Sequence, residues 1–387
     1  MEQLKILHAI TRLDKGGSAF NTLLSAMGSA QRGYLVDLLY GATTDTDPDL
    51  LARVEASGVH LLEEKELVRD ICFAKDLKAY SRIKKVIRTG KYDVVHAHSS
   101  KAGFLARLAA RKCRVKCVVY TPHGHVFYGY FSRFLSLFSL ALERFAAGYC
   151  DRIIGLTGSE CREWLRFGVG APEMFRVVPS GLEFDRIAQR KRNTASWKTR
   201  YGIGEAQKII GAVGRFVDIK GFEYFIRAAI DQLSKRDDVV FVLVGDGPMK
   251  SDYIRMVAGS GHPDRIKILP WQDNVDEAIS SFDVFVMPSL NEGMGRVLIE
   301  AMFFGKPVIA SRVGGVPSIL EGGCGILVSP GNPYEISGAI DRFLEDPAMA
   351  AETASKGKQK ALTEYSADNM VEKLEEVYRE VLEEKSK

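Results

Sequence analysis

No two cysteines in this chain are separated by only two residues. The six present (Cys72, Cys113, Cys117, Cys150, Cys161 and Cys324) are scattered, which excludes the paired spacing of a zinc ribbon or a dithiol oxidoreductase. They are expected to be free thiols in a reducing cytoplasm. Cys113 and Cys117 flank Arg114-Val115-Lys116; an ordinary partly buried pair is the simpler reading than a metal or redox pair. Long hydrophobic runs are lacking too. The most apolar segment, Phe127 to Leu140, is broken by Arg133 and followed by Glu143 and Arg144, short of the roughly 18 to 20 apolar residues of a spanning helix. It either packs within a domain or dips shallowly into one leaflet. Met1 to Ile10 runs straight into a strand pattern with nothing resembling a leader peptide, and no stretch is rich enough in polar residues to be disordered.

What is present is enough apolar sequence, 46% of 387 residues, for two cores of ordinary domain size. Strand patterns fall at Leu4 to Ile10, Leu35 to Tyr40, Val59 to Leu62, Asp93 to Ala97, Lys116 to Thr121, Arg152 to Leu156 and Phe175 to Val178. Helical patterns separate the first six, at Ser18 to Gln31, Leu50 to Ser57, Ala74 to Thr89, Ala102 to Arg111 and Phe131 to Ala147. The plan repeats from Lys208 to about Tyr365. Such alternation specifies an α/β protein with parallel sheets covered by helices on both faces. A final amphipathic helix carries Met370, Val371, Leu374, Val377, Tyr378, Val381 and Leu382.

Charge is shared unevenly. Residues 1–183 hold 26 Lys and Arg against 19 Asp and Glu, a surplus of +7, so the rest carries 27 against 30. Lys75, Lys78, Arg82, Lys84, Lys85, Arg88 and Lys91 cluster on and just after one helix. This face is either a solvated surface or one that meets anionic lipid or an anionic acceptor. Nucleic acid is not expected, because the basic run lacks interleaved aromatics.

Three loops carry the chemistry, each after a strand and on the same edge of its sheet. Gly214-Arg215-Phe216-Val217-Asp218-Ile219-Lys220-Gly221 brackets a strand-to-helix turn with two cations, a strong anion site. Gly245-Asp246-Gly247-Pro248 closes a buried strand in a tight turn. Pro288 to Met302 contains Glu292 in a Gly-rich loop (Gly293, Met294, Gly295) and Glu300 in the second turn of the following helix. A pair so spaced can touch two parts of one extended ligand lying across a helix start. In the first half, Gly16-Gly17 permits close backbone approach before a helix, and His123 and His125 follow a strand in Thr121-Pro122-His123-Gly124-His125. His96 and His98 share one face of a strand as a metal pair would, but no third ligand presents itself, and no metal is expected.

In the order and content of these motifs, supported by Gly314-Gly315-Val316-Pro317, the chain resembles the retaining glycosyltransferases of family 4 over essentially its whole length. The resemblance implies the GT-B fold: two Rossmann-like parallel-sheet lobes facing a central cleft. Residues 1–183 would form the acceptor-binding lobe, 184–365 the nucleotide-sugar lobe, and 366–387 a helix packing back on the first. It further implies that Arg215 and Lys220 contact the diphosphate, that Glu300 accepts from the ribose hydroxyls, and that Glu292 faces the sugar beside the amides of Met294 and Gly295. His123 would reach the donor sugar, and the base would stack near Trp271-Gln272-Asp273-Asn274-Val275. Gly16, Gly17, Gly245 and Gly293 would line the donor, with His98, Ser99, Ser100 and Lys101 on the acceptor side. The donor is a substrate, so no cofactor is expected. Uridine is the expected base, and the expected acceptor is a saccharide or lipid-linked hydroxyl in cell-surface polysaccharide or glycolipid synthesis, with the enzyme cytoplasmic and in peripheral contact with the membrane. The alternatives are a sugar-nucleotide epimerase or a catalytically silent binding protein on the same scaffold. Departures from the family pattern are Ala19 and Phe20, where polar residues are usual, Ser318 where Glu is commoner, and Met294 where Phe is frequent. Phe20 is thereby a candidate contact for an apolar acceptor.

Overall fold

The computed structural model describes residues 3–386 except 15, 44, 45, 47, 124–132, 191 and 273, and for 133–135 the backbone only. Chain contacts divide it into two units, one of residues 1–181 with 367–387 and the other of residues 182–366.

The N-terminal unit is built on seven parallel strands: β1 (Lys5–Ile10), β2 (Leu35–Gly41), β3 (His60–Glu64), β4 (Val94–His98), β5 (Cys117–Thr121), β6 (Arg152–Gly155) and β7 (Phe175–Val177), ordered β3-β2-β1-β4-β5-β6-β7. Its helices are α1 (Gly17–Gln31), α2 (Pro48–Ala56), α3 (Phe73–Gly90), α4 (Ser100–Lys112), α5 (Arg133–Ala147) and α6 (Gly158–Arg166). Strands β4, β5 and β6 are buried along their whole length, as expected of parallel strands covered on both faces.

The C-terminal unit repeats the plan with β8 (Lys208–Val213), β9 (Val239–Val244), β10 (Ile266–Leu269), β11 (Val284–Met287), β12 (Val308–Ser311) and β13 (Ile326–Val328), ordered β10-β9-β8-β11-β12-β13. Its helices run from α7 (Phe184–Gln189) and α8 (Thr194–Arg200) through α9 (Phe222–Leu233), α10 (Lys250–Ala258), α11 (Asp276–Ser281), α12 (Arg296–Phe303) and α13 (Val316–Ile319) to α14 (Pro333–Glu345) and α15 (Pro347–Glu364). The last helix, α16 (Ala367–Ser386), belongs to the N-terminal unit and buries Met370, Val371, Leu374, Val377, Tyr378 and Val381 in the core that α1 also lines. The two helices approach so closely at Gly28 that a Cβ there would lie 2.4 Å from Val371 Cγ2. Phe20 packs against this same core and is partly buried.

One buried ion pair braces the sheet next to the site. Arg107 of α4 donates to Glu143 of α5 at 2.7 Å with its side chain fully buried, Tyr120 of β5 donates to the other carboxylate oxygen at 3.0 Å, and the guanidinium lies 3.7 Å over the Tyr120 ring. Gly103 makes room, since a Cβ there would sit 2.4 Å from that ring. Breaking one partner of such a pair leaves an uncompensated buried charge. Glu143→Leu should therefore cost about 3–5 kcal/mol, measured as a lowered urea midpoint, whereas the double variant Arg107→Met/Glu143→Leu should recover most of the loss.

Candidate functional site

In both sheets the strand order reverses at the first strand of the unit, with β1 flanked by β2 and β4 and β8 by β9 and β11. In such open α/β sheets ligands bind beyond the carboxyl ends of the strands at the reversal. Gly16 and Gly17 fall there in the first unit and Arg215, Lys220 and Glu292 in the second, with His123 and Gly245 one strand away.

In the C-terminal unit the loop after β8 lies on the loop after β11. Leu290 N donates to Ile219 O at 2.8 Å. Gly221, at φ +63°, comes so near that a Cβ would be 2.2 Å from Pro288 O. This contact brings Lys220 Nζ to 2.5 Å from Glu292 Oε2, with Ser289 Oγ 3.3 Å from the same oxygen. Arg215 is exposed, and among the described residues its guanidinium has no carboxylate partner. The β11 loop is held from its far side by Gly314, at φ +49°, where a Cβ would be 1.8 Å from Glu292 O, and by Gly315 N donating to Gly293 O at 3.0 Å. Gly293 has open space around it, Met294 is buried, and Gly295, at φ +70°, caps α12. Gly245 has a packing reason of its own: a Cβ there would be 2.0 Å from Gly214 O, so it seats the β8 loop.

Glu300 faces inward one turn into α12 and accepts from Arg296 Nε at 3.1 Å. Burial raises its carboxyl above the ordinary range, against the opposing pull of Arg296. Asp276, buried at the start of α11 and paired with Arg190 at 3.0 Å, also acts on it. Neither Asp276 nor Arg190 stands out by motif, since the pair spans 86 residues. Trp271 is 56% exposed, as a stacking platform would be, and Asp273 lies outside the described residues. Ser318 donates to Gly315 O at 2.7 Å within its own turn.

In the N-terminal unit Gly16 caps α1, and Gly17 has nothing within 4 Å of a notional Cβ, leaving room for a ligand against the backbone. His123 follows β5 at φ +60°, a conformation rare outside glycine, and is half-buried. His125 lies outside the described residues. The expected acceptor-side group needs correction. His98 is fully buried, Ser99 Oγ is 2.9 Å from Thr11 Oγ1, and Lys101 is bound to Asp76 at 2.6 Å and to the Asp70 carbonyl, which leaves Ser100 exposed. The third histidine beside His96 and His98 that the sequence did not present is His8 of β1; ring nitrogens of the three lie within 4.8 Å of one another. His96 uses both nitrogens elsewhere, 2.6 Å from Tyr378 OH and 2.7 Å from Thr121 Oγ1.

Because the folded chain holds the Glu300 proton more tightly than the unfolded chain, ionising Glu300 lowers stability as pH rises from the ordinary glutamate range through its raised value. Glu300→Gln should therefore raise the melting temperature of the unliganded protein at neutral pH. The same substitution should weaken any ligand that needs a carboxylate acceptor there. In the wild type, such binding should fall on acidification beginning above the ordinary glutamate range, as read by calorimetric titration.

Comparison with known proteins agrees with this arrangement. Residues 16–186 match the family model described as Glycosyltransferase Family 4, and residues 207–346 match that for Glycosyl transferases group 1. The chain is 29% identical over 316 residues, 81% of each chain, to the Escherichia coli UDP-Gal:alpha-D-GlcNAc-diphosphoundecaprenol alpha-1,3-galactosyltransferase. It is 28% identical over 298 residues, 74% of this chain and 77% of the other, to the alpha-D-kanosaminyltransferase of Streptomyces kanamyceticus. Its fold matches that of Anabaena Alr3699/HepE, solved with UDP and glucose, with a TM-score of 0.80 and 21% identity over 98% of this chain and 100% of the other. With two Rossmann-like units and cationic and acidic motifs at the reversal of the second sheet, this chain belongs to the family 4 glycosyltransferases of GT-B fold and is a nucleotide-sugar glycosyltransferase.

Proposed function

We propose that the chain transfers a hexosyl group from a UDP-sugar, with retention and without a metal ion, to the hydroxyl of a lipid-linked or saccharide acceptor in cell-surface glycan synthesis. The observation that carries this reading is the convergence of Arg215, Lys220 and Glu292 on two touching loops at the reversal of the second sheet, with Glu300 one turn into the adjoining helix. Arg215 and Lys220 supply the positive charge that a departing diphosphate needs. Glu300 accepts from the ribose hydroxyls, and Glu292, steadied by Lys220, faces the sugar with the amides at the start of α12. Uridine is supported by the donor in the E. coli relative's name and by the UDP held in the Anabaena structure. A lipid diphosphate acceptor is supported by that same relative.

Among the described residues no second carboxylate stands beside Glu292, and the proposed route is front-face substitution. The bond from the anomeric carbon to the phosphate oxygen breaks while the acceptor oxygen bonds to the same face. The acceptor's proton passes to the departing phosphate oxygen.

The acceptor's lipid brings the enzyme to the membrane through α3, not through a spanning segment. No helix among the described residues is long and apolar enough to cross a bilayer. Helix α3 buries Ala79, Ile83 and Ile87 and leaves Phe73 92% and Leu77 69% exposed, with Ile71 beside them at 68%. Lys75, Lys78, Lys85 and Arg88 are exposed around this patch. Apolar anchors ringed by cations suit an anionic lipid surface.

Three measurements test these readings. UDP should raise the melting temperature more than GDP or ADP, and Glu300→Ala should abolish the rise. Lys220→Ala and Arg215→Ala should each lower turnover about 100- to 1,000-fold with chelator having no effect on the wild type. Stabilisation by UDP with no transfer to any acceptor would instead indicate a silent binding protein. Sedimentation with vesicles containing anionic phospholipid should capture the wild type at low salt, and Phe73→Ser/Leu77→Ser or Lys75→Glu/Lys78→Glu should release it. Capture unchanged by either pair would remove α3 as the contact.

A further inference from the structure

At the amino ends of β4 and β5, the edge of the sheet opposite to the one that carries Ser99 and His123, a cavity of about 330 Å³ opens between the end of α3 and the end of α4. Ile87, Tyr92 and Val115 give it apolar lining. Tyr92 is fixed there: its hydroxyl donates to Asp37, and a Cβ on Gly90 would be 2.3 Å from its ring. Four cations, Arg88, Lys91, Arg114 and Lys116, stand exposed at the opening, with Asp93 the one carboxylate of the lining. Asp93 is already engaged, accepting from Lys5 N at 3.1 Å and pairing with Lys116 at 3.6 Å. Arg88, Lys91 and Arg114 form no ion pair among the described residues.

The backbone singles out two of these cations. Lys91, at φ +52°, and Arg114, at φ +57°, hold the left-handed conformation. Lys91 N donates to Ile87 O at 3.2 Å, and Arg114 N to Arg111 O and Val115 N to Ala110 O, both at 3.1 Å. These are the bonds with which a helix ends on a glycine. The chain keeps to glycine elsewhere: Gly33 after α1, Gly58 after α2, Gly168 after α6, Gly202 after α8 and Gly305 after α12 all have positive φ. Among the described residues four non-glycines have positive φ, and they form two pairs, Ser99 and His123 at the carboxyl edge and Lys91 and Arg114 at this cavity. Strain of this kind gathers at ligand sites. Cations also answer the dipole at a helix C-terminus, but Arg88 in the last turn of α3 and Arg111 and Lys112 in that of α4 already do so. The lining's four cations and one carboxylate sum to +3, and two helix ends at roughly −0.5 each leave about +2.

We propose that this cavity is a second anion site, in which Arg88, Lys91 and Arg114 hold a phosphate ester whose small organic group rests on Tyr92 and Val115. Unpaired guanidinium and ammonium groups around one opening suit phosphate oxygens, and the volume is at the small end of ligand clefts. Either a soluble phosphate ester or the headgroup of an anionic phospholipid offers this chemistry. The site lies wholly within the N-terminal unit and requires nothing of the donor loops.

The test is titration calorimetry of the full chain at low salt with glycerol 3-phosphate, in an Arg215→Ala/Lys220→Ala background that keeps those cations from contributing. Lys91→Gly/Arg114→Gly puts glycine where the backbone favours it, so this variant should melt higher than its parent. It should bind glycerol 3-phosphate about tenfold more weakly, or worse. Lys75→Gln/Lys78→Gln, which removes the same charge further along α3, should leave the affinity unchanged. Dihexanoyl phosphatidylglycerol below its micelle concentration separates the two sources: tighter binding than glycerol 3-phosphate places a lipid headgroup in the cavity, and weaker binding places a soluble ester there. The site is overturned if neither probe binds the parent, if the glycine variant binds as the parent does, or if the α3 control weakens binding equally. A lower melting temperature of the glycine variant would assign Lys91 and Arg114 to the helix ends and overturn it as well.

Discussion

Two neighbouring parallel strands whose following connections depart in opposite directions along the sheet leave a gap beyond their carboxyl ends that no backbone fills. This chain makes such a gap between β1 and β4 and again between β8 and β11. Most of the residues for which a chemical role is proposed stand at one of them because loops there need not cover the sheet. Gly16 and Gly17 follow β1, Arg215 and Lys220 follow β8, and Glu292 follows β11. His123 stands one strand further along.

The gaps alone would leave these loops loose. Close backbone contacts that only glycine tolerates fix them. Gly221 against Pro288, Gly314 against Glu292 and Gly245 against Gly214 each bring main chain to main chain, and two of the three also have positive φ. The β8 and β11 loops therefore form one rigid shelf, and Lys220 and Glu292 meet upon it as a consequence of backbone packing. A buried carboxylate such as Glu300 is unfavourable for folding, and Arg296 one turn earlier offsets only part of the cost.

The alternation of strands and helices, the glycine-flanked cations and the paired glutamates were legible in the sequence because each is a local pattern. The amphipathic stripe of α16 was legible for the same reason. Element ends shifted by a residue or so: α3 begins at Phe73, not Ala74, and β5 at Cys117, not Lys116, while the expected start of α5 at Phe131 lies outside the described residues. The meeting of His8 with His96 and His98 was not legible, because it depends on β1 pairing with β4. The spacing of His96 and His98 correctly put both on one face of β4, but nothing local said that this face points into the core. Lys101 misled in the same way: its partner Asp76 lies on α3, and a contact 25 residues distant in sequence has no local signature.

Helix α16 closes the core that α1 begins, with Gly28 and Val371 in contact although 343 positions apart in the chain. During synthesis, then, the N-terminal sheet emerges first but cannot bury the α1 face until residue 381 has left the ribosome. The contiguous stretch 182–366 can complete its own core sooner. The half made first is the half that matures last, and until then its apolar helix face is available to chaperones.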